Sequence, residues 1–272
     1  MESVDLERRF AGLERLYGPE GLQRLAQAHV AVAGIGGVGS WCVEALARSG
    51  VGQLTLIDLD HVAESNVNRQ LHALTSTLGQ AKVDAMAERV HGINPACRLT
   101  LIDDFVTPDN VEAILPQGLS ALIDCTDQVA AKAAMILACR RRDVSIVVCG
   151  GAGGKTDSLA LRAGDLSVAT NDALLAKLRN TLRRQHGYPK ASDQAGKVRK
   201  RIPRMGVRAL WFDQPARMPD LWSAQSDAAT GSAGLQGLSC AGYGSAVAVT
   251  AAMGLAAANE VLHRLIEGRF NR

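Results

Sequence analysis

The chain has 272 residues, of which 47% are hydrophobic and 21% are charged, with a net charge of +3. These values predict a globular protein with a sizeable core and exclude a largely disordered chain. The six cysteines include no C-x-x-C pair, which argues against a zinc knuckle or a thioredoxin-like site. The charged N-terminus MESVDLERRF predicts no secretory signal, so we expect a cytoplasmic protein without zinc.

Helical spacing over residues 5–27 is followed by alternating apolar strands and helices up to residue 150. The strands are continuous apolar runs, which is typical of a parallel sheet covered on both faces. We therefore predict a Rossmann-like, doubly wound α/β fold with helices on both faces. The predicted strands are HVAVAG, QLTLIDLD, RLTLIDDFV, SALIDCTD and VSIVVCGG.

The pattern changes after Gly154, where KTDSLALRAGDL predicts one or two strands and DALLAKLRNTLRRQHG predicts a helix. Residues 188–240 are interrupted by glycine, proline and charge and predict irregular structure. We expect three segments: an N-terminal helical segment at 1–28, a nucleotide-binding domain at 29–155, and a C-terminal α+β extension at 156–272 for substrate binding and dimerisation.

A glycine-rich turn joins the first strand to the next helix and matches the G-x-G-x-x-G pattern. Such a turn brings backbone amides and a helix N-terminus close to a phosphate group. Asp58 ends the following strand, where a carboxylate usually contacts ribose. The turn predicts nucleotide binding without choosing the nucleotide; its glycines are Gly34, Gly36, Gly37 and Gly39.

Further polar residues distinguish between nucleotides. The loop after Asp58 reads SNVNRQ, and a lysine follows on the next helix. Arginine and lysine bind phosphate oxygens, and a carboxylate at a strand end can hold magnesium. Together these groups predict a cradle for ATP and Mg²⁺ and have no evident task around a nicotinamide. The candidates are Asn66, Arg69, Gln70, Lys82, Asp124 and Asp127.

Four stretches, GIGGVG, LIDLDHVAESNVNRQ, GQAKVDAMAERVHGINP and DCTDQVAAK, resemble the adenylating domain of the ThiF-type, ubiquitin-activating superfamily. The resemblance implies that a carboxylate attacks ATP to give an acyl-adenylate and pyrophosphate. It also implies that the glycine turn and Asp58 hold the nucleotide, that Asn66, Arg69 and Lys82 contact phosphates, and that Asp127 binds magnesium. It further implies a homodimer in which Arg9 or Arg15 reaches the partner's site, and spacing does not choose between the two.

Other stretches, including CGGAGGKTD, DALLAKLRNTLRR and CAGYGSAVAVTAAMG, resemble the tRNA threonylcarbamoyladenosine dehydratase branch of that superfamily. This resemblance implies ATP-dependent cyclisation of the threonylcarbamoyl group on tRNA to a hydantoin. It also implies a link to a cysteine-desulfurase sulfur-acceptor system. Cys240 is a candidate functional thiol, although a buried structural cysteine is the alternative reading.

Basic residues are concentrated between residues 177 and 208, where eleven Lys and Arg accompany a single Asp. Such a segment is the electrostatic signature of nucleic-acid binding, with a solvated helix face as the alternative. The predicted tRNA contacts are Arg183, Arg184, Lys197, Arg199, Lys200 and Arg201.

Residues 240–258 form an uncharged run nearly long enough to span a bilayer. Its Ala, Gly and Val content favours a buried helix packed against the sheet or a second subunit.

Three other functions remain open. An adenylyltransferase for a ubiquitin-like sulfur-carrier protein is disfavoured by the missing C-x-x-C pairs and by the basic segment. An NAD-dependent oxidoreductase is disfavoured by SNVNRQ and Lys82. A non-enzymatic nucleotide-binding module is disfavoured because the predicted ATP-handling residues are all present.

Overall fold

The computed structural model describes residues 5–193, 197, 199–218 and 243–268. Within these ranges seven strands form a single sheet. They are β1 (His29–Ala33), β2 (Gln53–Ile57), β3 (Arg98–Ile102), β4 (Ala121–Asp124), β5 (Ser145–Cys149), β6 (Leu161–Asp165) and β7 (Arg208–Phe212). Their spatial order is β3-β2-β1-β4-β5-β7-β6, and every neighbouring pair is parallel except β6 and β7. The predicted doubly wound α/β fold is confirmed.

Helices cover both faces of the sheet. They are α1 (Leu6–Gln27), α2 (Gly39–Arg48), α3 (Lys82–Ile93), α4 (Val111–Ile114), α5 (Val129–Arg141), α6 (Ala173–Gln185) and α7 (Val247–Glu267). Val30 and Val32 of β1 share a core with α2, α3 and α7 on one face. Ala31 and Ala33 point the other way, into a core with α4 and α5. Burial on both faces explains why the strands read as continuous apolar runs.

The prediction of irregular structure for residues 188–240 is wrong for Arg208–Phe212, which form strand β7. Ala209, Leu210 and Phe212 of β7 are fully buried between β5 and β6. Strand β6 pairs with β7 in the antiparallel sense, so the sheet continues beyond residue 155. A five-residue strand flanked by charge and glycine has a weak local signal, and long-range pairing decides its conformation. The division of the chain into segments at 28 and 155 stays a prediction.

The small-residue run near the C-terminus forms α7, which packs closely on α2. A Cβ added at Gly254 would lie 2.4 Å from the Val38 carbonyl oxygen and 2.8 Å from Trp41 Cβ. The Cys42 thiol donates to the Gly254 carbonyl oxygen at 3.2 Å. Small side chains therefore permit backbone contact between the two helices. None of the helices in the described ranges combines the length and apolar character needed to cross a bilayer.

Candidate active site

The glycine turn lies at the carboxyl end of β1, between β2 and β4, where the strand order reverses. Gly34 has a φ of +84°, and a Cβ there would lie 3.0 Å from the Cys125 carbonyl carbon. A Cβ on Gly39 would lie 1.8 Å from the Gly34 carbonyl oxygen, so this position accepts no side chain. Helix α2 begins here without a side-chain cap; Ser40 N donates to the Gly36 carbonyl oxygen at 3.0 Å, and the preceding amides of Gly37, Val38 and Gly39 are left for an anion.

A cavity of about 220 Å³ lies against this turn at the carboxyl edge of the sheet. It is the site expected for a ligand in a doubly wound fold. Apolar side chains of Ile57, Val106 and Ala131 form part of its wall. The predicted residues that line it are Gly34, Gly36, Gly37, Asp58, Arg69, Gln70, Lys82 and Asp127.

Asp58 is buried and fixed by two backbone amides. Its Oδ2 accepts a hydrogen bond from Ile35 N at 2.5 Å, and its Oδ1 accepts one from Asp60 N at 2.9 Å. Burial raises the pKa of this carboxyl group, and the Lys82 ammonium opposes that effect. The carboxylate therefore connects the glycine turn to the end of β2, with its position set before any ligand binds.

Lys82 begins α3, and its side chain is about 6% exposed. Its Nζ lies 2.6 Å from Asp60 Oδ2 and 3.9 Å from Asp58 Oδ1. Asp60 also lines the cavity and was not among the predicted site residues. The only sequence signal for it is its position two residues after Asp58, on the same side of an extended chain.

Only some of the predicted residues in the SNVNRQ loop line the cavity. Asn66 does not line it; the Asn66 Oδ1 instead accepts from Ala63 N at 3.1 Å and closes a local turn. Arg69 does line it, and its guanidinium donates to the Ser65 carbonyl at 2.8 Å and to Asn68 Oδ1 at 2.9 Å. Gln70 is buried, and its Oε1 has no partner among the described residues. An unpaired buried amide oxygen at a cavity wall is available to a ligand donor.

The two aspartates around the end of β4 occupy different environments. Asp124 is completely buried and pairs with Lys132 at 3.2 Å. Asp127 is exposed and lines the cavity. In the described ranges, no group of three or more His, Cys, Asp or Glu is arranged to hold a metal ion. One carboxylate nevertheless fits Mg²⁺ bound with a nucleotide, because Mg²⁺ usually takes one or two carboxylates together with phosphates and waters.

The two N-terminal arginines differ in their contacts. Arg9 donates to the carbonyl oxygens of Gly92 at 3.1 Å and Ile93 at 2.6 Å, at the end of α3. Arg15 is exposed, and its side chain has no hydrogen bond or ion pair with any other described residue. The two arginines could not be distinguished by their spacing in the sequence, but their side-chain contacts in the structure differ.

Most of the predicted tRNA contacts are exposed: Arg184, Lys197, Arg199, Lys200 and Arg201. Arg183 differs, because its Nε donates to the Pro189 carbonyl at 3.0 Å and burial lowers its pKa. Cys240 and the start of the 240–258 run lie outside the described residues.

Three free cysteines lie close together at the cavity, whose lining includes Cys125, and they were not predicted as neighbours. The Sγ of Cys125 is 3.7 Å from that of Cys42 and 3.8 Å from that of Cys149. The hydrogen bond with Cys149 lowers the pKa of Cys125, but the contact with Cys42 and burial raise it, and the net result is a pKa well above the usual value. These thiols pack as small apolar groups.

Comparison with known proteins finds the ThiF family over residues 7–270. The chain is 41% identical to the tRNA threonylcarbamoyladenosine dehydratase of Haemophilus influenzae, over 96% of this chain and 94% of the relative. It is also similar to the crystal structure of Escherichia coli tRNA N6-threonylcarbamoyladenosine dehydratase in complex with ATP. That comparison has a TM-score of 0.82 and 40% identity over 98% of each chain. A structure of the same protein with AMP matches with a TM-score of 0.81, again at 40% identity and 98% of each chain.

A relative with a different activity matches a smaller part of the chain. The molybdopterin-synthase adenylyltransferase of Salmonella typhimurium is 35% identical over 47% of this chain and 51% of its own length.

Proposed function

The chain belongs to the ThiF family, and from its match to dehydratases along nearly its whole length we propose that it is an ATP-dependent tRNA threonylcarbamoyladenosine dehydratase. In this reaction the threonine carboxylate is adenylated, and the threonylcarbamoyl group then closes to a hydantoin. The observation that supports the proposal is the cavity at the glycine turn, whose lining brings together Asp58, Arg69, Lys82 and Asp127, the residues to which we assign ribose, phosphate and magnesium contacts.

ATP fits this cavity by its chemistry. The α2 N-terminus and glycine turn offer backbone amides to phosphate oxygens. Asp58 is held as an acceptor for a ribose hydroxyl by Ile35 N and Asp60 N. The apolar wall at Val106 and Ala131 suits an adenine base.

Electrostatics account for the first step. A substrate carboxylate and an α-phosphate are both anions, so cationic groups must offset their repulsion. We assign this task to Arg69 and Lys82, which line the cavity. Lys82 also keeps Asp60 within 2.6 Å, and this ion pair orients its ammonium group along the cavity wall. Asp127 would hold Mg²⁺, which when bound supplies positive charge to the departing pyrophosphate.

The bond changes balance without a protein nucleophile. A carboxylate oxygen bonds to the α-phosphorus. The bond from the α-phosphorus to the oxygen that bridges the α- and β-phosphates breaks, and pyrophosphate leaves. The carbamoyl nitrogen then attacks the acyl carbon, loses its proton and closes the ring. AMP departs with the former carboxylate oxygen, so the nucleoside has lost one water overall. Positioning in the site can account for much of the rate of both steps.

Several parts of the proposal concern partners. Exposed basic side chains of the 177–208 segment support tRNA binding through phosphate contacts. We also propose a homodimer, with an N-terminal arginine reaching the partner's site, and cytoplasmic action. The link to a cysteine-desulfurase sulfur-acceptor system rests on the family resemblance alone.

The second candidate function is adenylation of a ubiquitin-like sulfur-carrier protein. It is favoured by the match to molybdopterin-synthase adenylyltransferase, which spans 47% of this chain. The dehydratase match spans 96%, and the sequence contains no C-x-x-C pair. The carrier activity is therefore the less well supported of the two.

A direct experiment incubates the protein with ATP, Mg²⁺ and tRNA containing threonylcarbamoyladenosine. Mass spectrometry of the digested nucleosides should show a product lighter by one water, with AMP and pyrophosphate formed in equal amounts. Omitting ATP should prevent the change. Unchanged nucleosides, together with AMP formation that depends on a carrier protein, would instead support the second candidate.

A further inference from the structure

A second, larger cleft adjoins the nucleotide cavity. Its volume is about 1380 Å³, more than a drug-sized ligand needs. The two share Asp127, Gln128, Gly153 and Leu174 in their walls. A molecule in the larger cleft would therefore lie next to the nucleotide cavity.

The two long walls of the cleft differ in character. Helix α5 contributes a flat wall of small apolar side chains that includes Ala130, Ala133 and Ala134. Helix α6 contributes Lys177, Thr181 and Gln185, which recur every four residues and so share one face of the helix. The neighbouring face of α6 is buried through Leu175, Leu178 and Leu182. The polar face is thus directed into the cleft by packing of the apolar one.

The end of the cleft near the nucleotide is held by buried polar groups. Asp172 caps α6 by accepting from Leu175 N at 2.8 Å, and it also accepts from Gly151 N at 2.8 Å. The buried Lys155 donates to the Asn171 carbonyl at 2.8 Å and to the Gln214 carbonyl. These bonds join the loop after β5 to the start of α6. The cleft is therefore preorganised where it meets the nucleotide cavity.

The remaining lining matches a nucleotide of an RNA chain. Tyr243 lines the cleft, and an aromatic ring can stack on a base that is splayed out of an RNA strand. Lys177 is exposed at the cleft wall, where its ammonium can meet a backbone phosphate. The alanine-rich wall accommodates a flat base without a polar requirement.

We propose that this cleft, between α5 and α6, binds the modified adenosine of tRNA. Lys177 contacts a flanking phosphate, Tyr243 contacts the base, and the threonine carboxylate extends past Gln128 to the α-phosphate. This assignment rests on the proposed function and adds the location of the RNA substrate. A carrier protein tail in the same cleft is the competing outcome.

The test compares Lys177→Glu with Arg98→Glu, which makes the same charge change on β3 at the opposite edge of the sheet. Binding of fluorescent tRNA is measured by anisotropy, separately from catalysis. Lys177→Glu should raise the Kd for tRNA about tenfold or more, because a charge-assisted contact is replaced by repulsion. Arg98→Glu should change it far less. The KM for ATP should stay unchanged in both variants.

Two further variants test the assignment through the salt dependence of tRNA binding, which distinguishes a lost phosphate contact from a general loss of folded protein. Lys177→Gln should reduce the salt dependence of tRNA binding by a slope of about one, as expected for one lost phosphate contact. Tyr243→Leu should weaken tRNA binding without changing this slope, because stacking does not release counterions. Folding is checked by circular dichroism.

The outcomes separate this inference from the proposed function. If wild-type protein cyclises tRNA but the Lys177 and Tyr243 variants bind tRNA as wild type does, the cleft assignment is overturned. If the variants lose tRNA binding while wild-type protein cyclises nothing, the cleft is an RNA-binding site and the proposed function fails. If the variants lose only carrier-dependent AMP formation, the cleft serves a protein tail and the assignment is overturned.

Discussion

Lys132 and Asp124 form an ion pair of 3.2 Å in which neither side chain is exposed to solvent. The Lys132 Nζ also donates to the Cys149 carbonyl oxygen at 2.8 Å. Asp124 Oδ1 accepts from the amide and hydroxyl of Thr126, which lines the nucleotide cavity. The pair therefore joins the ends of β4 and β5 and anchors the loop that carries Asp127.

We expect Lys132→Met to destabilise the protein by about 3–5 kcal/mol, because it leaves a buried carboxylate without its partner. Chemical denaturation gives the free energy of unfolding. Adding Asp124→Asn to this variant should recover part of the loss, since the unpaired charge is then removed. Arg141→Ala, which breaks an exposed pair with Glu112, is the control and should leave stability nearly unchanged. Equal effects of the buried and exposed changes would contradict the prediction.

Arg69→Ala and Asp127→Ala should each reduce AMP formation about a hundredfold or more while the fold survives. The first substitution is expected to remove a phosphate contact, and the second is expected to remove a magnesium ligand. Single-turnover release of pyrophosphate measures the effect. The controls are Arg98→Ala and Asp109→Ala, which remove the same charges from exposed positions outside the cavity lining. Near-normal rates in either site variant, with an unchanged circular dichroism spectrum, would refute its role.

Arg15, rather than Arg9, should be the arginine that acts across the proposed dimer. Arg9 is occupied by the carbonyl oxygens at the end of α3, so Arg9→Ala should lower Tm more than it lowers the rate. Arg15→Ala should lower the rate without lowering Tm. The opposite assignment of the two effects would exclude this choice.

Mixing two inactive variants tests whether the arginine acts in trans. Arg15→Ala and Asp127→Ala subunits, exchanged to equilibrium, should recover about a quarter of wild-type activity, because half the dimers are mixed and each has one intact site. A mixture of Arg69→Ala and Asp127→Ala subunits should recover no activity. If Arg69 and Asp127 of one subunit serve the same site, together with its Lys82, neither site of a mixed dimer is intact. A wild-type monomer with full activity would contradict the arrangement.

His72 should make stability fall as the solution is acidified. The ring is 2% exposed, and burial lowers its pKa from 6.5 to about 4. The unfolded chain thus binds a proton in a range where the folded chain does not, so stability is full above pH 6.5 and is lost as the pH falls towards 4. The loss over that range is about 3 kcal/mol.

His72→Leu should flatten the pH dependence of unfolding between pH 4 and 6.5, whatever it does to stability at pH 7. The control is His91→Gln, at an exposed position of α3. An unchanged slope in His72→Leu would show that this ring does not titrate as expected. Some slope should remain, because burial also lowers the pKa of His29.

Neutralising Lys197, Arg199, Lys200 and Arg201 together should raise the KM for tRNA and leave the KM for ATP nearly unchanged. If all four contact phosphates, the log–log salt slope of tRNA binding should fall by about three to four. Arg183 was also predicted as a contact, but its bond to the Pro189 carbonyl makes Arg183→Ala a change of loop structure as well as charge. Wild-type affinity of the quadruple variant across a salt titration would favour a solvated loop.

The sequence by itself determined the parallel sheet, the glycine turn and most of the polar residues that line the cavity beside it. Buried parallel strands require continuous apolar runs, and the G-x-G-x-x-G spacing allows only a few backbone paths. Asp58 and Lys82 were therefore identifiable from their positions along the chain, since Asp58 directly follows β2 and Lys82 begins α3.

Only the tertiary structure decided how equivalent residue types divide their tasks. Asp124 and Asp127 lie three residues apart, yet one pairs with Lys132 in the core and the other faces the cavity. Asn66 closes a turn while Arg69 and Gln70 face the cavity, and Arg9 caps α3 while Arg15 stays exposed. Strand β7 and the cleft between α5 and α6 also depend on partners far along the chain. Local spacing specifies which side chains a segment carries, whereas their hydrogen-bond partners and burial depend on contacts that form only when distant segments pack together.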